Sequence, residues 1–294
     1  MELHDKVAVV TGGAGGIGAA LCRAFLGAGM KVVVADVRAE AVEQAVAELA
    51  KLADPDATLG VVTDVTDPAS VEALADRTWE AFGACHVLCN NAGVGAPAAN
   101  VWETTVNDWR WVHGVNVMGV VHGILAFVPR MIASGEPGHV VNTSSGDGGI
   151  EPLPSASVYA ASKAAVSTLT ECLAHQLVSE GTRLRASIFY PSGGLLRTGL
   201  WESERTRPAE LARERPRPTE PMTVDKLEAM AESQGFELPW QDLDELAALV
   251  VDGIRRGDAF IHMIDRQTIG PTLRRRAAAF EAGRLPEHQA GPLG

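Results

Sequence analysis

The segment VAVVTGGAGGIG, residues 7–18, constrains the fold more than any other stretch of this chain. A short β-branched run ends at Thr11, glycines crowd the next seven positions, and a helical pattern begins inside them. Two glycine spacings overlap. Gly13, Gly15 and Gly18 satisfy G-x-G-x-x-G, while Thr11, Gly12, Gly16 and Gly18 satisfy T-G-x-x-x-G-x-G, with Ile17 between the last two glycines. Either spacing lays side-chain-free backbone at a helix N-terminus, where unpaired N–H groups and the helix dipole favour an anion such as a pyrophosphate. Asp36 closes the next β-branched run, 18 residues after Gly18, where an acidic group meets the ribose hydroxyls of a dinucleotide.

The same alternation continues. Val7–Val10, Lys31–Ala35, Leu59–Thr63, Val87–Cys89, His139–Asn142 and Leu184–Phe189 read as buried strands. Helical patterns fall near 16–28, 38–53, 67–82, 107–134 and 156–179. Strands alternating with helices imply a parallel sheet covered on both faces, so the expected class is α/β, a Rossmann-type doubly wound sheet. One domain over 1–294 is expected, with a cofactor half at 1–150 and a catalytic half at 151–198. A substrate lid at about 199–239, a C-terminal helix and strand at 240–282 and a loose tail at 283–294 complete it.

The lid is inferred from a change of character after Pro191. Residues 202–221, ESERTRPAELARERPRPTEP, are charged, proline-rich and nearly free of large apolar groups, as a disordered linker would be. A helical pattern at about 240–256 and a strand at Phe260–Ile264 bring the chain back to the core. An excursion that leaves and rejoins a compact domain is more often a functional flap. Its few apolar residues, including Leu195, Leu196, Leu200, Trp201, Met222, Met230 and Phe236, then line an apolar pocket.

Composition narrows the partners. A hydrophobic content of 46% supports a sizeable core, and a net charge of −12 argues against a nucleic-acid partner. The four cysteines show neither C-x-x-C spacing nor a histidine cluster, so no metal is expected. The N-terminus runs straight into a strand without a signal-peptide pattern. The most apolar window, Val115–Met131, is interrupted by His122, Pro129 and Arg130 and is too short to span a bilayer. A cytoplasmic protein with no membrane partner is expected.

Further pieces collect where strand ends meet, which is where ligands of open α/β sheets bind. Asp64 and Val65 follow the third strand, and Asn90-Asn91-Ala92-Gly93 follow the fourth. The fifth strand runs into NTSSGDGG, delivering Ser144 and Ser145, with Asp147 close behind as a substrate contact. Tyr159, one of only two tyrosines, stands four residues before Lys163. On a helix that spacing places phenol and ammonium on one face. A free tyrosine titrates near 10 and is a poor base at neutral pH; a neighbouring ammonium lowers that value. A serine hydroxyl, donor and acceptor at once, can hold a substrate oxygen while the proton moves. Asn116 either holds a relaying water or is a helix-interior amide bonded to backbone.

Thr11-Gly12…Gly16-Ile17-Gly18, Asn90-Asn91-Ala92-Gly93, Asn116, Ser145 and Tyr159-x-x-x-Lys163 resemble the short-chain dehydrogenase/reductase family from residue 5 to about 200. The resemblance implies Tyr159 as general acid/base, Ser145 at the substrate oxygen, Lys163 on the nicotinamide ribose and Asn116 in a proton relay. Two departures stand out. The step from Ser145 to Tyr159 is one residue longer than the family's usual gap, which keeps Ser144 open as the alternative. The stretch Pro191-Ser192-Gly193-Gly194-Leu195-Leu196-Arg197-Thr198 is two residues longer than the family's P-G-x-x-x-T. The resemblance carries Pro191, Gly193 and Thr198 over as cofactor contacts. ADVRAEAVEQAVAEL and FVPRMIASGEPGH are also similar to bacterial members that oxidise bulky aryl secondary alcohols.

The expected cofactor is NAD, because the Asp36 carboxylate suits ribose hydroxyls and opposes the 2′-phosphate of NADP. Arg38 is expected in the first turn of the next helix, stacked on the adenine or solvated. The expected function is interconversion of a secondary alcohol and a ketone. The alternatives are an NADP-dependent ketone reductase, a catalytically silent cofactor-sensing regulator, and a lyase or dehalogenase on the same fold. A homotetramer or homodimer is expected, joined through the small-residue face Ala161, Ala164, Ala165 and Thr168.

Overall fold

The computed structural model describes residues 1–191, 194–263 and 266–286, the last stretch by backbone alone at 266–268. Seven strands form one sheet: β1 (Val7–Thr11), β2 (Lys31–Asp36), β3 (Thr58–Val62), β4 (Val87–Asn90), β5 (Gly138–Thr143), β6 (Leu184–Tyr190) and β7 (Phe260–His262). The order is β3-β2-β1-β4-β5-β6-β7, and each neighbouring pair is parallel. The strand order reverses between β1 and β4, so their carboxyl ends open the crevice where such sheets take ligands. This is the doubly wound sheet that the alternating pattern implies.

Alternate residues of each strand serve opposite layers. Ala8, Val10, Val32 and Val34 pack under α1 (Gly16–Gly27) and α7 (Leu243–Arg256). Val7, Val9, Val33 and Ala35 pack with residues of α3 (Pro68–Phe82), α4 (Val106–Ser134) and α5 (Ser157–Ser179). The remaining helices are α2 (Ala39–Leu49), α6 (Val224–Gln234) and α8 (Arg266–Glu281).

Several elements differ from expectation. β3 is an edge strand, half-buried and not enclosed, and Val62 is exposed. α2 stops at Leu49, and β7 is described only to His262, since Ile264 lies outside the described residues. The apolar window at 115–131 belongs to the 29-residue α4, long and apolar enough to cross a bilayer by length and composition. In this fold α4 is a core helix: Trp111, Val112, Val120, Phe127 and Met131 are buried. α6 and α8 had no apolar signature strong enough to be read. α6 buries Leu227 and Ala231, and α8 docks through two arginines: Arg275 Nη2 donates to Glu151 at 2.6 Å and Arg276 Nη1 to Ile150 O at 2.6 Å.

Candidate active site

The glycine loop is shaped by contacts that a Cβ would prevent. Gly12 and Gly16 lie at φ 63° and 51°, in the left-handed region, so T-G-x-x-x-G-x-G is the spacing with backbone meaning. A Cβ on Gly18 would stand 2.0 Å from Gly12 O, so only glycine lets α1 start against the loop. The first turn of α1 carries no capping side chain and no acidic residue, which leaves its N–H groups for an anion. Thr11 Oγ1 accepts from Asn91 N at 3.0 Å and Ala92 N at 3.1 Å, and Asn91 Nδ2 donates to Thr11 O at 3.1 Å. The ends of β1 and β4 are thereby tied together at the floor of the crevice.

Asp36 ends β2 and is buried. Arg38 is exposed, as a solvated residue would be, and also pairs with Asp36. It caps α2 and folds back, its backbone N and Nε each 3.1 Å from Asp36 Oδ1 and its Nη2 3.3 Å from Oδ2. The same Nη2 would lie 3.3 Å from a Cβ on Gly15, so the ion pair borders the glycine loop. Asp64 is exposed and uses Oδ1 to accept from Thr66 N and Oγ1, both at 2.8 Å. Val65 is buried against Gly119 of α4. Thr198, two residues displaced in sequence, nevertheless reaches the loop: its Cβ is 3.1 Å from where a Cβ on Gly16 would be. Pro191 follows β6; Gly193 lies outside the described residues.

The serine pair divides clearly. Ser144 is buried, and its hydroxyl donates to Lys163 O at 2.8 Å and meets Ser167 Oγ at 2.8 Å. Ser145 is half-buried, accepts from Asp147 N at 3.2 Å and hydrogen-bonds the Tyr159 hydroxyl. Between Ser145 and Tyr159 the chain makes a tight loop in which Gly148 N donates to Glu151 O at 2.7 Å and Glu151 N to Gly146 O at 3.0 Å.

Lys163 is buried, and Nζ donates to Thr143 O at 2.9 Å while lying 5.6 Å from the centroid of the Tyr159 ring. Burial pulls its pKa down to about 8. Burial also pushes Tyr159 up to about 12; the Ser145 hydrogen bond opposes this and the Asp147 charge adds to it. The expectation that the ammonium lowers the phenol is corrected here. Desolvation disfavours phenolate and ammonium alike and is the largest cause of both shifts.

Asn116 is enclosed in a π-turn of α4 at Gly114–Met118. Its Oδ1 accepts from Val94 N at 2.8 Å, and Nδ2 donates to Val94 O and Ser162 Oγ, both at 3.0 Å. Of the two readings left open for it, the structure favours the amide bonded to backbone. A Cβ on Gly93 would lie 3.4 Å from Asn116 Oδ1 and 3.5 Å from Lys163 Nζ, so this loop runs beside the ammonium.

The substrate residues fare unequally. Asp147 is exposed beside Tyr159, close enough for its charge to act on the phenol. Leu196 packs into the core layer of α1 and α7, which corrects its placement in the pocket. Leu195 is bridged to Trp240, with its N donating to Pro239 O at 2.8 Å. The Trp201 indole donates to Leu196 O at 2.8 Å. What the sequence did not reveal is Asp108, only 1% exposed, which receives Arg207 Nη1 at 2.8 Å and Arg213 Nη1 at 2.5 Å from the expected lid. Burial alone would raise this carboxyl, but bonds from Thr105 and Arg207 and the charge of Arg213 hold it below the usual carboxylate range.

These residues fit a nicotinamide dinucleotide on three counts: an uncapped helix start, glycines with no room for a Cβ, and a buried ammonium with three donors and a single acceptor at Thr143. Among the described residues no group of His, Cys, Asp and Glu could hold a metal. Residues 6–208 match the short chain dehydrogenase family, and the chain belongs to that family of oxidoreductases. It is 42% identical over 210 residues to a C alpha-dehydrogenase of Sphingobium sp., an alignment spanning 71% of this chain and 66% of that one. It is 40% identical over 192 residues to a 1-deoxy-11-beta-hydroxypentalenate dehydrogenase of Streptomyces avermitilis, covering 65% and 69%. A short chain dehydrogenase/reductase of Burkholderia phymatum solved in complex with NAD superposes with TM-score 0.86, 37% identity and 99% of both chains. A metagenomic short-chain oxidoreductase in complex with NADP reaches TM-score 0.60 at 30% identity, over 66% and 84%.

Proposed function

We propose that this chain interconverts a secondary alcohol and a ketone on a bulky apolar molecule, with NAD as the redox partner and Tyr159 as the proton carrier. The observation that carries the reading is the meeting of Ser145, Tyr159 and Lys163 at the carboxyl end of β5, beside the loop that leads from β4. Gly12, Gly16 and Gly18 would hold the pyrophosphate, Asp36 the adenosine ribose and Lys163 the nicotinamide ribose. When bound, the nicotinamide accepts or supplies the hydride. Ser145 holds the substrate oxygen, and Tyr159 takes its proton in oxidation or returns it in reduction. A phenol held as high as about 12 stays protonated at neutral pH, the form that reduction uses. Oxidation needs the phenolate and so depends on polar groups gathering around the Tyr159–Lys163 pair to lower that value.

The relatives' names, a C alpha-dehydrogenase and a hydroxypentalenate dehydrogenase, support an alcohol substrate. An assembly of two or four copies is part of this reading. Met118, Leu125 and Ile132 are exposed at seven-residue spacing along α4, and Ala161, Ala164, Ala165 and Thr168 on α5 are open or half-open in the single chain. The test is Tyr159→Phe assayed with NAD and 1-phenylethanol. Loss of a general acid/base costs about 10² to 10⁴ in rate, so the variant should be nearly inactive yet bind NAD as the parent does. Turnover at the parent's rate rejects the assignment.

A further inference from the structure

Residues 198–219 cross the crevice from one side to the other. At the start Thr198 touches Gly16 of the glycine loop. Leu200 then stands over Gly95, its O and Cδ1 3.6 and 3.8 Å from where a Cβ would be. Gly95 N donates to Ser203 Oγ at 2.9 Å, and Ser203 is buried. Gly95 follows Val94, whose N and O are both held by Asn116, and Gly93, which borders Lys163. The 200–203 segment therefore leans on the same short loop that the catalytic helices grip from the other side.

Beyond Ser203 the chain is fastened to the start of α4. Arg207 lies over the Trp111 ring at 4.9 Å and bonds Asp108 Oδ1, while its Nε donates to Leu211 O at 2.6 Å. Arg213 bonds Asp108 Oδ2, Arg215 donates to Thr104 O at 2.9 Å, and Thr219 Oγ1 donates to Ala98 O at 2.9 Å. Asp108 is itself fixed by the Thr105 capping box. The Arg207 and Arg213 side chains are 4% and 8% exposed. Enclosing three charges is costly, and Arg207 Nη2 has no hydrogen-bond partner among the described residues, so a network of this kind adds little net stability. Its geometric effect is to tie residues 207–213 to the start of α4.

We propose that Asp108, Arg207 and Arg213 are positioning residues for substrate binding: they lock residues 200–203 against the 93–95 loop as a fixed wall of the crevice, touching neither substrate nor cofactor themselves. The proposal rests on the reading of the crevice as an alcohol dehydrogenase site. It makes this half of the excursion a rigid wall in place of a mobile flap. Loosening the wall removes contacts made equally in ground and transition states, which raises KM and leaves kcat near its parent value.

The experiment compares the parent with Asp108→Asn and with Arg213→Met. The second variant keeps the Asp108–Arg207 pair and decides the matter should the first not fold. With 1-phenylethanol and saturating NAD, KM should rise about tenfold, with kcat within about threefold and NAD affinity unchanged. On the ligand-free proteins, a glutamate-specific protease should cut after Glu204, Glu210 or Glu214 much faster in the variants. Trypsin is less suited, because proline follows Arg207, Arg215 and Arg217 and the Arg213→Met variant itself removes one of the two remaining sites, Arg205 and Arg213. A melting temperature that falls while KM and cleavage stay at parent values overturns the proposal and leaves a purely structural network. Parent protein that binds NAD but turns over no alcohol defeats the proposed function instead, and the cleavage comparison then still tests the locked wall.

Discussion

Ser144 and Ser145 are adjacent hydroxyls with different surroundings, and replacing each by alanine should separate stability from catalysis. Ser144→Ala removes a bond to Lys163 O and one to Ser167 Oγ, both at 2.8 Å, from an enclosed site. Ser167 keeps Lys163 O at 3.1 Å and Tyr190 Oη at 3.2 Å, so no partner is orphaned. Two such bonds are worth about 1 to 2 kcal/mol net, which for a chain of this size lowers Tm by a few degrees. The reacting oxygen is untouched, so kcat/KM should stay within about threefold of the parent. Ser145→Ala deletes the hydroxyl bonded to Tyr159 and the cap on Asp147 N. The lost cap costs roughly 0.5 to 1 kcal/mol. Removing a donor at a developing oxyanion costs about 10² to 10³ in kcat. The assay is reduced-nicotinamide absorbance with NAD and 1-phenylethanol, beside thermal melting of each variant. A hundredfold loss in Ser144→Ala with Ser145→Ala near the parent would refute the reasoning and shift the catalytic loop by one residue.

Two more expectations follow from buried charges. The parent should prefer NAD over NADP by at least about tenfold in kcat/KM, a difference of about 1.4 kcal/mol, and Asp36→Ala should erode this by weakening NAD; equal or better use of NADP by the parent would assign the site to Arg38. Because burial lowers Lys163 from 10.5 to about 8, the folded protein binds fewer protons than the unfolded chain above pH 8. That deficit makes the Lys163 contribution to stability climb with pH above about 8, by up to about 1.4 kcal/mol per unit. The buried thiols of Cys22, Cys85 and Cys89, pushed up by desolvation, pull total stability down above about 9. Urea unfolding of the parent and of Lys163→Met across that range isolates the contribution, because the cysteines are common to both. The stability difference between parent and variant should shift in the parent's favour as pH rises above about 8, and a difference that does not change with pH rejects Lys163 as its source.

The parts of this protein legible from sequence are those decided within a few residues. Tyr159 and Lys163 share a face because a helix turns once in 3.6 residues, and Gly18 is required because its own helix start meets the loop six positions earlier. Strand and helix periodicity was enough for the doubly wound sheet, since each element must bury one face whatever its neighbours are. The tertiary structure decided what depends on partners far along the chain. Residues 202–221 read as solvated by composition, yet Arg207 and Arg213 are enclosed because Asp108 waits 99 and 105 positions away. α8 was not read from the sequence, because what holds it lies elsewhere in the chain: Glu151, 124 positions from Arg275, and the Ile150–Ile188–Tyr190 cluster that receives Ile269. The proton energetics of Tyr159 and Lys163 belong to the same class. Their spacing sets which face they share, but the desolvation that dominates both shifts comes from the elements closing over the site, and no local pattern encodes that sum.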